Sequence, residues 1–289
     1  MSADLEAARQ EIDALRLELE ATNSGVLALY AELDTQADEL RKATELKSRF
    51  LAYMSHEFRT PIGSVLSITR LLLDRVDGPL TEEQEVQVRF IQQTSHEFSE
   101  MVNDLLDLAK VEAGRIDISP AWFEMVDLFA ALRGMFKPVL VNAGVTLVFE
   151  DPGDISKVYN DDRKLAQILR NFISNALKFT PSGEVRVSAE RVGNSEMRFS
   201  VTDTGIGIAP EFHHAIFQDF TQIDSPIQKR LRGTGLGLSL SKRLAEALGG
   251  HVGVHSEPNK GSTFFVTIPM HMTAEITAAI TPAITPVQP

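Results

Sequence analysis

Residues 170–180 read RNFISNALKFT, and this stretch decides how the rest of the chain is to be folded. Asn171, Asn175 and Lys178 recur at i, i+4 and i+7 and share one helix face, while Ile168, Leu169, Phe172 and Ile173 cover the other. An amphipathic helix packed on a core follows. Two amides and an ammonium on its open face suit a magnesium–triphosphate: an amide oxygen is a neutral ligand for the metal, and the ammonium offsets phosphate charge. The two asparagines could equally bond only to each other, so the flanking sequence has to decide.

On both sides of this helix, short segments rich in β-branched residues alternate with helical patterns. VTLVF (145–149), EVRVSA (184–189), MRFSVT (197–202), HVGVHS (251–256) and STFFVTI (262–268) read as strands. Helices fit 161–178, 236–248 and, introduced by Trp122 and Phe123, about 126–141. The pattern predicts a two-layer α/β sandwich over 119–270. Two glycine-containing turns lie in it. DTGIGI (203–208) follows a strand, where the carboxylate of Asp203 can accept an exocyclic amino group and Gly205 and Gly207 let backbone approach a flat base. GTGLGL (233–238) opens a helix whose free N–H groups and dipole attract phosphate. Between them runs a loop of about 25 residues, long enough for a lid, with Phe217 and Phe220 as expected anchors and Lys229, Arg230 and Arg232 as local positive charge.

Upstream the composition is helical throughout. Phe50, Met54, Phe58, Ile62, Leu66, Thr69 and Leu73 define one stripe that ends at the turn RVDGP (75–79). A second helix starts at Thr81 with a capping-box pattern and carries Phe90, Ile91, Phe98, Met101, Leu105 and Leu108. The resulting hairpin, over 48–118, is too thin to bury both stripes, and pairing with a second copy into a four-helix bundle solves that problem. SHEFRTP (55–61) lies in its first helix. His56 points away from the stripe and can act as a nucleophile, Glu57 can take the displaced proton, and Thr60 lies one turn on along the same face. Pro61 removes a helical hydrogen bond at that point and suggests a hinge. Residues 1–47 repeat apolar residues every seven positions (Leu5, Ile12, Leu19, Val26, Leu33, Leu40), as a two-stranded coiled coil does; a lone amphipathic helix is the other reading.

The whole chain has 289 residues, no cysteine, and 28 basic against 40 acidic side chains, a formal charge of −12. Disulfides, Cys-ligated metals and cysteine nucleophiles are thereby excluded, and a nucleic-acid partner is disfavoured. Of that charge, −6 belongs to residues 1–47. The sequence lacks a signal-peptide pattern at its start and a long apolar span, which predicts a soluble cytoplasmic protein. The Thr/Ala/Pro-rich tail, 271–289, is expected to be disordered.

Taken together, these motifs resemble the sensor histidine kinases of two-component systems, over about residues 1–270. The resemblance implies a signal-transmitting coiled coil, a dimeric phosphoacceptor hairpin, and an ATP-binding domain of the fold shared with DNA gyrase and MutL. It implies that His56 is phosphorylated, that Glu57 is its base, and that Thr60 serves phosphatase activity toward a response regulator. It assigns Asn175 to Mg²⁺, Asn171 and Lys178 to the nucleotide site, and Asp203 to adenine. The nucleotide-binding set is completed by Gly205, Gly207, Lys229, Arg230, Arg232, Gly233, Thr234, Gly235, Leu236, Gly237 and, in the last strand, Thr263. In related ATP hydrolases the place of Asn171 is held by a water-activating Glu; an amide favours transfer to a side chain instead. The implied partners are a second copy, a response-regulator receiver domain, and a sensory domain or protein upstream. A docking module with a degenerate ATP domain and a serine kinase or ATPase on the same fold are the alternatives.

Overall fold

The computed structural model describes residues 2–113, 116–138, 140, 144–153, 155, 157–221 and 234–272. Two units divide between Phe50 and Leu51, and the second contains every chemistry-bearing motif.

The first element, α1 (Ser2–Leu73), is one continuous helix through both Gly25 and Pro61. Thr22, Thr35 and Thr44 donate their hydroxyls to carbonyls four residues back at 2.8–2.9 Å. A threonine in the heptad seam therefore satisfies itself and needs no partner across the seam. Leu19, Val26, Leu29, Leu33 and Leu40 are all exposed in the single chain.

A turn with Arg75 at φ 57° and Gly78 at φ 124° leads into α2 (Glu82–Glu112). The capping box forms as expected: the Gln84 N–H donates to Thr81 Oγ1 at 3.2 Å, and the Thr81 N–H donates to Gln84 Oε1 at 2.9 Å. Arg75 and Arg89 both bond to Glu85 and hold its carboxyl below the usual range, Arg89 contributing more.

Within one copy, Ser55, Ile62 and Thr69 of α1 and Val88, Val102, Leu108 and Ala109 of α2 are buried. Much of the apolar surface is left outside: Phe58, Val65, Ile68, Leu71, Phe90, Ile91, Phe98 and Met101. Phe90 is 70% exposed, and the rings of Phe58 and Phe98 sit 5.8 Å apart at the rim. Burying such side chains is worth about 1.5–3 kcal/mol each, so the hairpin forgoes a large gain as long as it is alone.

The rest is a five-stranded sheet in the order β2-β4-β5-β7-β6, built from β2 (Val145–Phe149), β4 (Gly183–Val192), β5 (Glu196–Asp203), β6 (His251–Glu257) and β7 (Gly261–Pro269). The pair β2–β4 is parallel and the others antiparallel. Three helices, α3 (Met125–Phe136), α4 (Asp162–Phe179) and α5 (Gly237–Ala247), pack their apolar sides with it into one core that includes Leu132, Phe172, Phe199, Leu244 and Val266. In β5 the alternation is clean: Met197, Phe199, Val201 and Asp203 are buried, while the residues between them are not.

Three expectations are corrected. Trp122 and Phe123 do precede a helix, but they lie in an unforeseen strand, β1 (Ala121–Glu124), paired antiparallel with a second one, β3 (Lys157–Asn160). Helix α3 stops at Phe136, short of 141. The ordered chain also continues past 270: the Met272 N–H donates to the Tyr159 carbonyl at 2.8 Å, and His271 lies 4.8 Å from the Tyr159 ring. The tail from 273 lies outside the described residues.

Candidate active site

The asparagine helix α4 is started by Asp161, whose Oδ1 accepts from the Arg163 and Lys164 N–H groups while its Oδ2 accepts from Ser119 N–H at 2.8 Å. With Leu165, Ile168, Leu169, Phe172 and Ile173 buried, the helix cannot rotate, and Asn171, Asn175 and Lys178 are held on the partly exposed side. The Asn175 Nδ2 donates to Asn171 Oδ1 at 3.4 Å, and the Asn171 Nδ2 donates to Ser241 Oγ of α5 at 2.8 Å. The asparagines do bond to each other, and the bond leaves an Asn175 oxygen for other use. Burial lowers the Lys178 pKa, and Glu97 of α2 opposes that shift.

Asp203 ends β5 in the helix-facing layer, 5% exposed. Burial raises its pKa, although backbone N–H groups of Gly205, at 2.8 Å, and Ser262 pull the other way. A buried carboxylate with one oxygen engaged by backbone is a selective acceptor for an N–H donor. The loop after it is fixed from two sides: the Ile208 N–H donates to Ser256 Oγ at 2.7 Å, and the Asn259 N–H to the Ile206 carbonyl at 2.7 Å. Gly207 has φ +66°, and a Cβ there would collide with the Glu257 carbonyl, so only glycine fits.

The opening of α5 closes the group. Thr234 Oγ1 accepts from the Leu236 N–H at 3.2 Å, and the Leu236 side chain is itself buried. First-turn N–H groups of α5 have no acceptor within the helix, which suits an anion. Gly237 packs directly on the Asn171 amide, where any side chain would strike it. Gly235, at φ +71°, packs on the backbone of Phe220 and Thr221.

Thr263 is misplaced in the expected set. Strand alternation puts it opposite Thr202, with hydroxyls 3.0 Å apart, on the face away from the helices. The residue beside Asp203 is its cross-strand partner Ser262, 6% exposed. Counting by two from buried Phe264 and Val266 would have found it. Phe217 is an anchor, 6.4 Å from Phe264, but Phe220 is 66% exposed at φ 59°, and its ring meets no other ring among the described residues. Lys229, Arg230, Arg232 and Gly233 lie outside the described residues. Asp219 and Arg243, unforeseen, join the loop to α5 at 2.8 Å.

The hairpin carries a different kind of site. The side chain of His56 is 78% exposed, with Nδ1 at 3.9 Å from Glu57 Oε1. Thr60 Oγ1 lies 3.5 Å from the His56 carbonyl. No hydrogen bond or ion pair among the described residues joins His56, Glu57 or Thr60 to the α4–α5 group. Also among the described residues, no helix is long and apolar enough to cross a membrane.

Comparison with known proteins agrees with this division. Residues 46–114 match the His Kinase A (phospho-acceptor) domain, and residues 160–272 match the histidine kinase-, DNA gyrase B- and HSP90-like ATPase family. The autoinducer 2 sensor kinase/phosphatase LuxQ of Vibrio harveyi is 37% identical over 80% of this chain and 27% of its own length. The signal transduction histidine-protein kinase BarA of Escherichia coli is 32% identical over 96% of this chain and 30% of its own. The chain thus spans under a third of these relatives. Among solved structures, full-length ShkA in complex with AMPPNP matches with a TM-score of 0.63 at 35% identity, over 78% of this chain and 46% of that one. With a phospho-acceptor hairpin followed by a kinase-type ATPase fold, and with sensor kinases such as LuxQ and BarA among its relatives, this chain belongs to the sensor histidine kinases of two-component systems.

Proposed function

We propose that the chain transfers the γ-phosphoryl group of ATP to His56 and then passes it to an aspartate of a response regulator. The observation that carries this reading is the pairing of an exposed imidazole, with a carboxylate 3.9 Å from its Nδ1, and a preformed nucleotide-type site in one chain. Asp203 would accept the adenine amino group, Lys178 would meet phosphate charge, and the α5 N-terminus would hold phosphate oxygens. The residues suit Mg²⁺: Asn175 supplies a hard, neutral oxygen for the metal, while the Lys178 ammonium is left to the phosphates. When bound, Mg²⁺ neutralises charge on the β- and γ-phosphates.

In the transfer, Nε2 of His56 forms the new P–N bond as the bond to the β,γ-bridging oxygen breaks and ADP leaves. Glu57, on the Nδ1 side, takes the ring proton. Asn171 provides no base for water, which favours the imidazole as acceptor. Motion of the ATP-binding half relative to the hairpin brings the reactants in line. The uncovered stripe of Phe90, Ile91, Phe98 and Met101 is closed by a second copy, aligned by the coiled coil of residues 1–47. Thr60, on the His56 face, would orient water for dephosphorylation of the regulator. A sensory domain or partner supplies the input, and the ATP requirement places the reaction in the cytoplasm.

Incubation with γ-labelled ATP and Mg²⁺ tests the reading: the label should be acid-labile and alkali-stable. Acid-stable label would point to a hydroxyl acceptor, and nucleotide binding without label would reduce the ATP half to a docking module.

A further inference from the structure

The asparagine pair does not stand alone. Ser241 of α5 is 2% exposed, and its hydroxyl lies 2.9 Å from the Gly237 carbonyl and 2.8 Å from Asn171 Nδ2. A carbonyl oxygen can only accept, so the hydroxyl proton goes to Gly237. The serine oxygen must then accept, which turns the NH₂ group of Asn171 toward α5. The Oδ1 of Asn171 consequently faces Asn175 and accepts from Asn175 Nδ2 at 3.4 Å. The last amide in the chain is left with its nitrogen turned inward and its oxygen on the opposite side. Gly237 permits this, because a Cβ there would strike the Asn171 amide.

We propose that Ser241 is a positioning residue that sets the amide orientation of Asn175, so that Oδ1 rather than Nδ2 is presented to Mg²⁺. The inference rests on the reading of Asn175 as the metal ligand given above. An amide can present either end with almost the same shape, and the wrong end would offer N–H groups to a cation. Helix α4 has no device of its own to choose: its two asparagines can exchange roles by flipping together. A one-way relay that starts at a backbone carbonyl of α5 removes that freedom. It also ties the metal ligand to the helix whose N-terminus would hold phosphate.

The test is the affinity for a non-hydrolysable ATP analogue, measured by calorimetry with Mg²⁺ and again with chelator. Ser241→Ala should lose about fivefold of the Mg²⁺-dependent gain in affinity, in line with one neutral hydrogen bond, while the Mg²⁺-free affinity stays unchanged. Ser241→Cys, which fills the same space with a poor hydrogen-bonding group, should shift the gain in the same direction with the fold intact. The Asn171 and Asn175 side-chain amide resonances should move together in both variants. An unchanged Mg²⁺ gain, or an equal fall in both affinities, would overturn the positioning role. A wild-type protein whose nucleotide affinity does not respond to Mg²⁺ would overturn the metal-site reading as well, and so separates the two failures.

Discussion

The hairpin and the ATP-binding half handle their functional groups in opposite ways. In the ATP-binding half, Asp203 is buried, Asn171 is bonded to Ser241, and Gly207 and Gly237 are held in places no other residue could occupy. In the hairpin, His56 is among the more exposed side chains, and the apolar surface around Phe90 and Phe98 has no cover. One half is a site finished by its own packing; the other holds a reactive group and a sticky face that wait for something else. The contrast suits an enzyme that must bind one reactant firmly and deliver it to another that travels.

Breaking the finished half should have the largest effect. Asp203→Asn removes the charged acceptor and should weaken nucleotide binding about 10–100-fold, the span of about 1.5–3 kcal/mol for a hydrogen bond to a charged group; calorimetry reads it. On the other side of the contrast, Phe90→Glu should shift the protein from dimer to monomer in light scattering and leave nucleotide affinity unchanged. Loss of nucleotide binding in that variant would mean the halves are not separable.

A smaller effect is expected where the two halves touch. Asp104 of α2 has its pKa raised from 3.8 to about 6, first by burial, then by Glu100 and Asp107, with Arg170 of α4 opposing. Because the folded state holds this proton more tightly, the contribution to stability is fully present below the unfolded value and is lost as pH rises through about 6. Asp104→Asn should therefore raise the thermal midpoint at pH 7 and flatten its dependence between about pH 4 and 6. The smallest effect separates the two faces of the sheet: Thr263→Ala should leave nucleotide affinity within about twofold, whereas Ser262→Val, beside Asp203, should lower it further.

Much of this was legible in the chain because local pattern and tertiary demand coincide. The Thr81 capping box, the apolar side of α4 and the alternation of β5 each follow from neighbours in sequence. The strands β1 and β3 escaped because each is four residues long and only their pairing makes them strands. Trp122, 61% exposed, is held by Tyr159 and His271, contacts no local window contains. Thr263 was placed by motif when strand parity would have chosen Ser262. Ser241 was invisible as function, since a serine on a helix is ordinary until a second helix lays an amide against it.

The claim that joins the halves is that the nucleotide held by one is spent on His56 of the other. Its most direct test is His56→Ala incubated with γ-labelled ATP and Mg²⁺, with nucleotide affinity measured on the same sample. The account predicts that labelling falls to background while affinity stays within about twofold of wild type, because among the described residues His56 makes no hydrogen bond or ion pair to the nucleotide half, and its removal leaves that packing intact. Persistent labelling of the variant would contradict it.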